Sequence, residues 1–123
     1  MTLVSSTTAP RFDLDGTHVI GLASPSRGAA ETSVWRLTLD PGSSSPEHTL
    51  DREEVFVALA GTARAVIGDD ATDVRPGDAL IVPPAVPFTI ANPGPEPFEA
   101  VACLPVGGSA TVAGEPMTPP WAV

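Results

Sequence analysis

The segment PEHTLDREEVFVALAG, residues 46–61, carries most of what the sequence reveals about the fold. After a histidine and four acidic residues it becomes an apolar run closed by a glycine. Over 54–59 the even-numbered side chains share one face of a β-strand and the odd-numbered ones share the other; both faces are mostly apolar. An antiparallel strand with one solvent-exposed face should alternate with polar residues, so we expect something to cover the second face. A second copy of the chain is the simplest cover, which predicts a homodimer built on Val55, Val57 and Leu59.

Turn-forming residues divide the rest of the chain into short segments of the same kind. Fifteen prolines and eleven glycines are spread through 123 residues, and no segment shows a convincing helical period. Short runs rich in β-branched or aromatic residues, spaced roughly 8–12 residues apart, predict an all-β sandwich or barrel. The predicted strands are 18–23, 32–39, 54–61, 63–68, 78–83, 87–92 and 98–105. The length suits one domain, 1–123, and we expect its tail to pack on the barrel through Val112, Met117 and Trp121.

The composition argues against several classes of partner. The formal net charge is −9, with six arginines and no lysine, so the chain repels nucleic acids and anionic membranes. No apolar run approaches the roughly 20 residues that span a bilayer, and the first residues do not resemble a secretory signal. We therefore expect a cytoplasmic protein without nucleic-acid or membrane partners. Cys103 is the only cysteine, which excludes an intrachain disulfide. A small buried hydrophobe is its favoured role, and a thiolate ligand or nucleophile is the alternative.

The spacing of residues in two segments resembles the two signature motifs of the cupin superfamily. The first motif, G-x5-H-x-H-x3/4-E-x6-G, aligns with residues 42–61, and the second, G-x5-P-x-G-x2-H-x3-N, aligns with 77–92. The signature positions that are kept are Gly42, His48, Glu54, Gly61, Gly77, Pro83 and Asn92. The resemblance implies an all-β, double-stranded β-helix (jelly-roll) barrel with a small organic ligand in its interior.

The chain departs from the cupin pattern at the residues that hold a metal. In cupins three histidines and one glutamate usually coordinate one divalent metal ion, and Leu50 and Phe88 replace two of those histidines here. His48 and Glu54 remain, and two ligands hold a catalytic metal poorly because such a metal usually has three or more. We therefore expect no cofactor, and the resemblance leaves open a divalent metal held by His48, Glu54 and a third group.

The resemblance also implies which side chains face the barrel interior. His48 and Glu54 are the candidate catalytic residues, and we expect them to form a coupled pair in which one group gives a proton and the other takes one. A vestigial pair without function is the alternative. The candidate substrate-binding residues are Leu50, Arg52, Phe56, Phe88, Trp35 and Arg36.

The two arginines in that set are candidates for different reasons. Arg52 lies in a polar turn from which it could reach over the pocket mouth and hold a substrate carboxylate. Arg36 and Thr38 share one face of their strand, while Trp35 and Leu37 share the other. Either set could line the interior, and the aromatic set is the favoured one.

Three functions fit these observations. The favoured one is an enzyme of bacterial small-molecule or secondary metabolism that performs acid–base chemistry, such as isomerisation, cyclisation or dehydration, with His48 and Glu54. The second is a metal-dependent, dioxygenase-like cupin that uses the same two residues as part of its ligand set. The third is a non-catalytic barrel that binds or senses a small molecule. The fold alone does not decide among them, because function depends on the site.

Overall fold

The computed structural model describes all 123 residues and confirms the all-β class. Twelve strands are joined by turns, and the only helical elements are single 3₁₀ turns at Pro25–Arg27 and Pro120–Ala122. The strands are β1 (Arg11–Leu14), β2 (Thr17–Ala23), β3 (Thr32–Leu39), β4 (His48–Leu50), β5 (Glu54–Ala60), β6 (Ala63–Ile67), β7 (Asp70–Val74), β8 (Ala79–Val82), β9 (Phe88–Ala91), β10 (Phe98–Pro105), β11 (Ala110–Val112) and β12 (Glu115–Met117). No helix is long and apolar enough to cross a membrane.

The strands form two six-stranded antiparallel sheets that enclose one core. The first sheet has the order β1-β2-β3-β10-β5-β8, and the second has the order β12-β11-β4-β9-β6-β7. Strands β4 and β5 are separated by a short turn, yet they belong to different sheets. This jelly-roll arrangement confirms the predicted barrel, and it places the two ends of the 46–61 segment on opposite walls.

The interior is built by strict alternation along the strands. On β5 the even-numbered residues Glu54, Phe56 and Ala58 are buried, as the sequence predicts for an inward face. On β3 the inward residues include Trp35 and Leu37, so the aromatic set lines the interior. Each large apolar side chain that is fully buried stabilises the fold by roughly 1.5–3 kcal/mol. The same alternation determines which candidate residues can reach a ligand.

Two turns explain positions of the cupin motifs. Gly61 has φ 72°, and an added Cβ would collide with the carbonyl oxygen of Pro97, so the β5–β6 turn requires glycine. Ala85 replaces the glycine of the second motif and still has φ 65°. Its amide donates a 2.7 Å hydrogen bond to the Leu50 carbonyl, which ties the turn to β4. A non-glycine residue in this left-handed conformation costs roughly 1–2 kcal/mol.

The outward face of the first sheet carries an apolar patch. Val57 is 38% exposed and Leu59 is 44% exposed on β5. Ile81, 59% exposed, pairs with Val55 across the β5–β8 ladder and extends the patch to the sheet edge. On the other side of Val55 lies Cys103 of β10. The chain therefore has the apolar outer face that the strand pattern predicts.

Candidate functional site

A cavity of about 210 Å³ opens between the two sheets. Its inner part is lined by buried side chains that include Leu50, Glu54, Phe56 and Phe88. Its rim includes the more exposed residues Leu14, Pro46 and Met117. Apolar side chains dominate the wall, and His48 and Glu54 are its only ionisable members. The arrangement is typical of a ligand site, which is mostly apolar with a few placed polar groups.

His48 enters the cavity from β4 as a neutral base. Its Nδ1 lies 2.7 Å from the Pro46 carbonyl oxygen, so Nδ1 carries a proton and donates it to that oxygen. Its ring packs against Phe88, with the two centroids 4.1 Å apart. Burial lowers the pKa of His48, although the hydrogen bond to Pro46 opposes that shift. At neutral pH the imidazole is therefore uncharged, and its Nε2 lone pair is free to accept a proton.

Glu54 enters the same cavity from β5 as a protonated acid. The residue is only 4% exposed and its carboxyl makes no hydrogen bond within the chain. Burial raises the pKa of Glu54 to about 8, because the apolar surroundings disfavour the charged form. At neutral pH the carboxyl group therefore holds its proton and can donate it.

His48 and Glu54, which we expected to form a directly coupled pair, are not bonded to each other in the structure. The two side chains make neither a hydrogen bond nor an ion pair, and neither contributes to the pKa shift of the other. His48 extends from β4 of the second sheet and Glu54 from β5 of the first, and both line the cavity. They are two separate titratable groups that line one cavity.

The remaining candidate residues lie either on the cavity side of a sheet or on its outer side. Leu50, Phe56, Phe88 and Trp35 all line the cavity. Arg36, which we expected to bind substrate, lies outside the cavity, because it follows Trp35 on a strand and therefore points outward. There Arg36 Nη2 makes an ion pair with Glu99 Oε1 at 3.2 Å.

Arg52 also lies outside the cavity, so the structure does not support its predicted contact with substrate. It sits in the exposed turn between β4 and β5, beyond the last inward residue of β4. Cys103 is half-buried on the outer face of β10 and does not line the cavity. Burial, and then any negative charge on Glu54, raises the pKa of the Cys103 thiol, which disfavours the thiolate needed for a ligand or nucleophile.

The C-terminal strap, residues 110–123, forms one side of the site. Its Val112, Met117 and Trp121 line the cavity, as expected of a tail that packs on the barrel. The indole of Trp121 packs 6.2 Å from that of Trp35, centroid to centroid. The strap contributes the second tryptophan of the wall.

Sequence reasoning missed the residue that fastens this strap, Arg27. Its Nη2 donates to the Trp121 carbonyl at 2.9 Å, and its Nε donates to the Leu22 carbonyl at 2.8 Å. A Cβ at Gly21 would lie 2.6 Å from the Arg27 guanidinium, so the absence of a side chain at Gly21 leaves room for the Arg27 side chain. The only sequence signal was an arginine in a polar turn, which does not specify a contact 94 residues away.

The donor set of the cavity does not fit a resident catalytic metal. His48 Nε2 and the Glu54 carboxyl group are the two available donors. Leu50 and Phe88, which occupy the other two ligand positions of the cupin motif, offer no donor atom. No group of three or more His, Cys, Asp or Glu side chains could hold a metal ion together. A catalytic zinc site needs three protein ligands.

Comparison with known proteins assigns the family. The family model described as a cupin domain matches residues 35–104, more than half of the chain. The chain therefore belongs to the cupin family. The match includes both motif segments, all of β5 and most of β3 and β10, which belong to the first sheet.

Individual relatives are distant. Auxin-binding protein 5 of Zea mays is 29% identical over 82 residues, which are 67% of this chain and 54% of that protein. The chain thus spans about half the length of this curated relative. The polyketide cyclase RemF from Streptomyces resistomycificus has the same fold with a TM-score of 0.77 at 19% identity, over 96% of this chain and 82% of that one. Oxalate decarboxylase from Bacillus subtilis matches with a TM-score of 0.77 at 19% identity, over 85% and 29%. Likeness at these identities shows the fold alone.

Proposed function

We propose that this cupin is an enzyme that isomerises, cyclises or dehydrates a small molecule by acid–base catalysis. His48 acts as the general base through Nε2, and Glu54 acts as the general acid through its carboxyl proton. The observation that carries the proposal is a free base and a protonated acid on opposite walls of one apolar cavity. Pairs of titratable groups whose environments push their pKa values apart are typical of acid–base sites.

The geometry suits a substrate that loses one proton and gains another. His48 Nε2 removes a proton from an acidic carbon or hydroxyl, while Glu54 donates its proton to the oxygen on which negative charge develops. Each positioned group of this kind contributes roughly 10²–10⁴-fold in rate. Both groups have the required protonation state between the lowered pKa of His48 and the pKa of about 8 of Glu54. The rate should therefore form a plateau near neutral pH and fall on either side.

Exchange of α-protons in a neutral ketone tests this proposal without knowledge of the natural substrate. 2-Tetralone in D₂O, followed by proton NMR, reports removal of a proton next to a carbonyl. We expect exchange above the buffer rate, lost in His48→Ala and reduced in Glu54→Gln. Arg52→Gln is the matched control, because Arg52 lies outside the cavity. Exchange at the buffer rate in the unaltered protein would contradict the proposal.

A non-catalytic ligand-binding barrel is the second candidate. Its support is the apolar cavity together with 29% identity to a protein named for binding auxin. The two candidates separate in one experiment, because a binding barrel would take up 2-tetralone and leave its α-protons unexchanged. Support for bacterial secondary metabolism is limited to the fold shared with the Streptomyces cyclase.

We also propose a homodimer formed through the outer apolar patch of Val57, Leu59 and Ile81. Exposed apolar side chains grouped on one sheet face typically mark an interaction surface. Light scattering should give twice the chain mass of 12.5 kDa. Val57→Arg should shift the mass to that of a monomer, while Arg64→Gln on the other sheet should leave the dimer intact. A monomeric unaltered protein at micromolar concentration would refute the dimer.

A further inference from the structure

We infer that the ligand of this cavity is an uncharged, largely apolar molecule of one or two rings, and that the site rejects anionic analogues. The inference names the substrate class of the proposed enzyme and rests on that proposal only for the roles of His48 and Glu54. It follows from three features of the wall: its charge, its size and the hydrogen bonds it leaves open.

No positive charge is available to a ligand in the cavity. The chain has no lysine, and none of its arginines is among the lining residues. Those arginines are Arg11, Arg27, Arg36, Arg52, Arg64 and Arg75. The one basic side chain inside is His48, and its desolvation favours the neutral form. A ligand carboxylate or phosphate would lose its hydration and find no ion-pair partner, which is strongly unfavourable in an apolar site.

Glu54 does not offset the cost of burying an anion. An anion in the cavity would stand near a carboxyl group that must then remain protonated. One hydrogen bond from that group does not replace the full hydration shell of a carboxylate. The net charge of −9 further reduces the rate at which anions reach the mouth. Charge therefore selects against anions both on approach and inside the cavity.

The size and walls of the cavity favour a ring system. The volume of about 210 Å³ exceeds the roughly 150 Å³ of an engineered apolar protein cavity that binds benzene. Aromatic pairs stand on both sides: Phe56 lies 6.4 Å from Phe88, and Trp35 lies 6.2 Å from Trp121, centroid to centroid. Their faces and edges offer stacking contacts to a flat ligand. The rim residues Leu14 and Met117 continue the apolar surface outward.

The hydrogen bonds left open define the polar part of the ligand. His48 Nε2 can accept one bond, the Glu54 carboxyl can donate one, and the buried Trp121 Nε1–H is a further donor without a partner. A ring ketone, enol or phenol satisfies one or more of these groups without carrying a charge. A neutral cyclic ketone with acidic α-hydrogens thus matches the wall in charge, size and hydrogen bonding.

Two molecules with the same bicyclic carbon skeleton test the inference by isothermal calorimetry at neutral pH. The neutral probe is 2-tetralone, and the charged probe is 1,2,3,4-tetrahydronaphthalene-2-carboxylate. We expect the ketone to bind at least about 30-fold more tightly than the carboxylate. Equal binding, tighter binding of the carboxylate, or binding of neither probe would overturn the inference.

A charge placed at the rim sharpens the test. Met117 lines the cavity but is 44% exposed, so Met117→Arg should fold. It should raise the affinity for the carboxylate by about tenfold and thus reduce the ratio of the two probes' dissociation constants. Arg64→Gln, on the outer surface of the second sheet, should leave both affinities unchanged. A ratio that does not respond to Met117→Arg would show that charge is not what the site discriminates.

The outcome of the binding test does not depend on the outcome of the exchange test. If proton exchange is absent but the charge preference remains, the catalytic proposal fails and the ligand class stands. If exchange is present but the carboxylate binds as well as the ketone, the ligand class fails and the catalytic roles stand. Glu54→Gln should keep the charge preference at neutral pH, because the carboxyl group it replaces is already uncharged there.

Discussion

The two histidines of this chain occupy opposite chemical situations. Both ring nitrogens of His18 on β2 form hydrogen bonds to carboxylates. Nδ1 lies 2.7 Å from Asp13 Oδ1, and Nε2 lies 3.0 Å from Asp40 Oδ2. His48 on β4 donates Nδ1 to a backbone carbonyl and keeps Nε2 free in an apolar cavity. Hydrogen bonds to Asp13 and then Asp40 raise the pKa of His18, whereas burial lowers that of His48.

The contrast shows what separates a structural histidine from a candidate catalytic one. A histidine whose two nitrogens are both bonded to carboxylates links chain segments but has no lone pair to accept a substrate proton. A histidine with one nitrogen fixed by the backbone has a defined tautomer and an available lone pair. The available nitrogen, rather than the residue type, makes His48 the candidate base.

The largest expected effect is on catalysis. His48→Ala should lower the rate of 2-tetralone exchange by about 10²–10⁴-fold, because it removes the base. His18→Ala should leave the rate within about twofold, because His18 does not line the cavity. Proton NMR in D₂O measures both. A similar loss in the two variants would erase the distinction between the two histidines.

The second effect is on stability and concerns the buried acid opposite His48. Burial raises the pKa of Glu54 from 4.5 to about 8, so the folded chain binds its proton more tightly than the unfolded chain. This contribution to the free energy of unfolding is complete below pH 4.5. It declines as pH rises from 4.5 and is lost once pH has risen through 8. At neutral pH the loss amounts to about 3 kcal/mol relative to acid.

Glu54→Gln should remove that pH dependence and stabilise the fold at neutral pH by up to about 3 kcal/mol. Glu53→Gln, at the exposed neighbouring position, is the matched control and should change little. Urea unfolding of the three proteins at acidic and neutral pH measures the difference. If the difference in unfolding free energy between the wild-type protein and Glu54→Gln is the same at both pH values, the raised pKa is contradicted.

A smaller effect distinguishes the histidines directly. In an NMR titration we expect His18 to have a midpoint above 6.5 and His48 to have one below it. Protonated His18 stabilises the fold at low pH, and that contribution is lost as pH rises through its folded-state pKa. His48 behaves in the opposite sense and destabilises the fold as pH falls. Asp13→Asn should move only the His18 midpoint downward.

The smallest expected effect is on metal content. Dialysis against zinc, followed by metal analysis, should leave the protein well below one equivalent per chain, because Leu50 and Phe88 supply no donor atoms. Nearly one tightly bound equivalent, lost in His48→Ala and retained in His18→Ala, would contradict this expectation. That result would favour the metal-dependent alternative.

Much of the fold was predictable because alternation and turn residues are local signals. A period of two residues defines the faces of β5 and separates Trp35 from Arg36, and the apolar character of the Trp35 face favoured it as the inward one. That His48 and Glu54 line one cavity without a hydrogen bond between them could not be predicted, because their separation depends on how the two sheets pack. The hydrogen bond from Arg27 to the Trp121 carbonyl could not be predicted, because a contact across 94 residues depends on the path of the whole strap.

The proton on Glu54 at neutral pH is the central claim, because the acid role of Glu54 in the proposed catalysis depends on it. Carbon-13 NMR of glutamate side-chain carboxyls, with the Glu54 resonance identified by its absence in Glu54→Gln, measures this proton directly. The account predicts a titration midpoint near pH 8. A midpoint near the ordinary value of 4.5 would mean that Glu54 is ionised at neutral pH, and it would contradict the account.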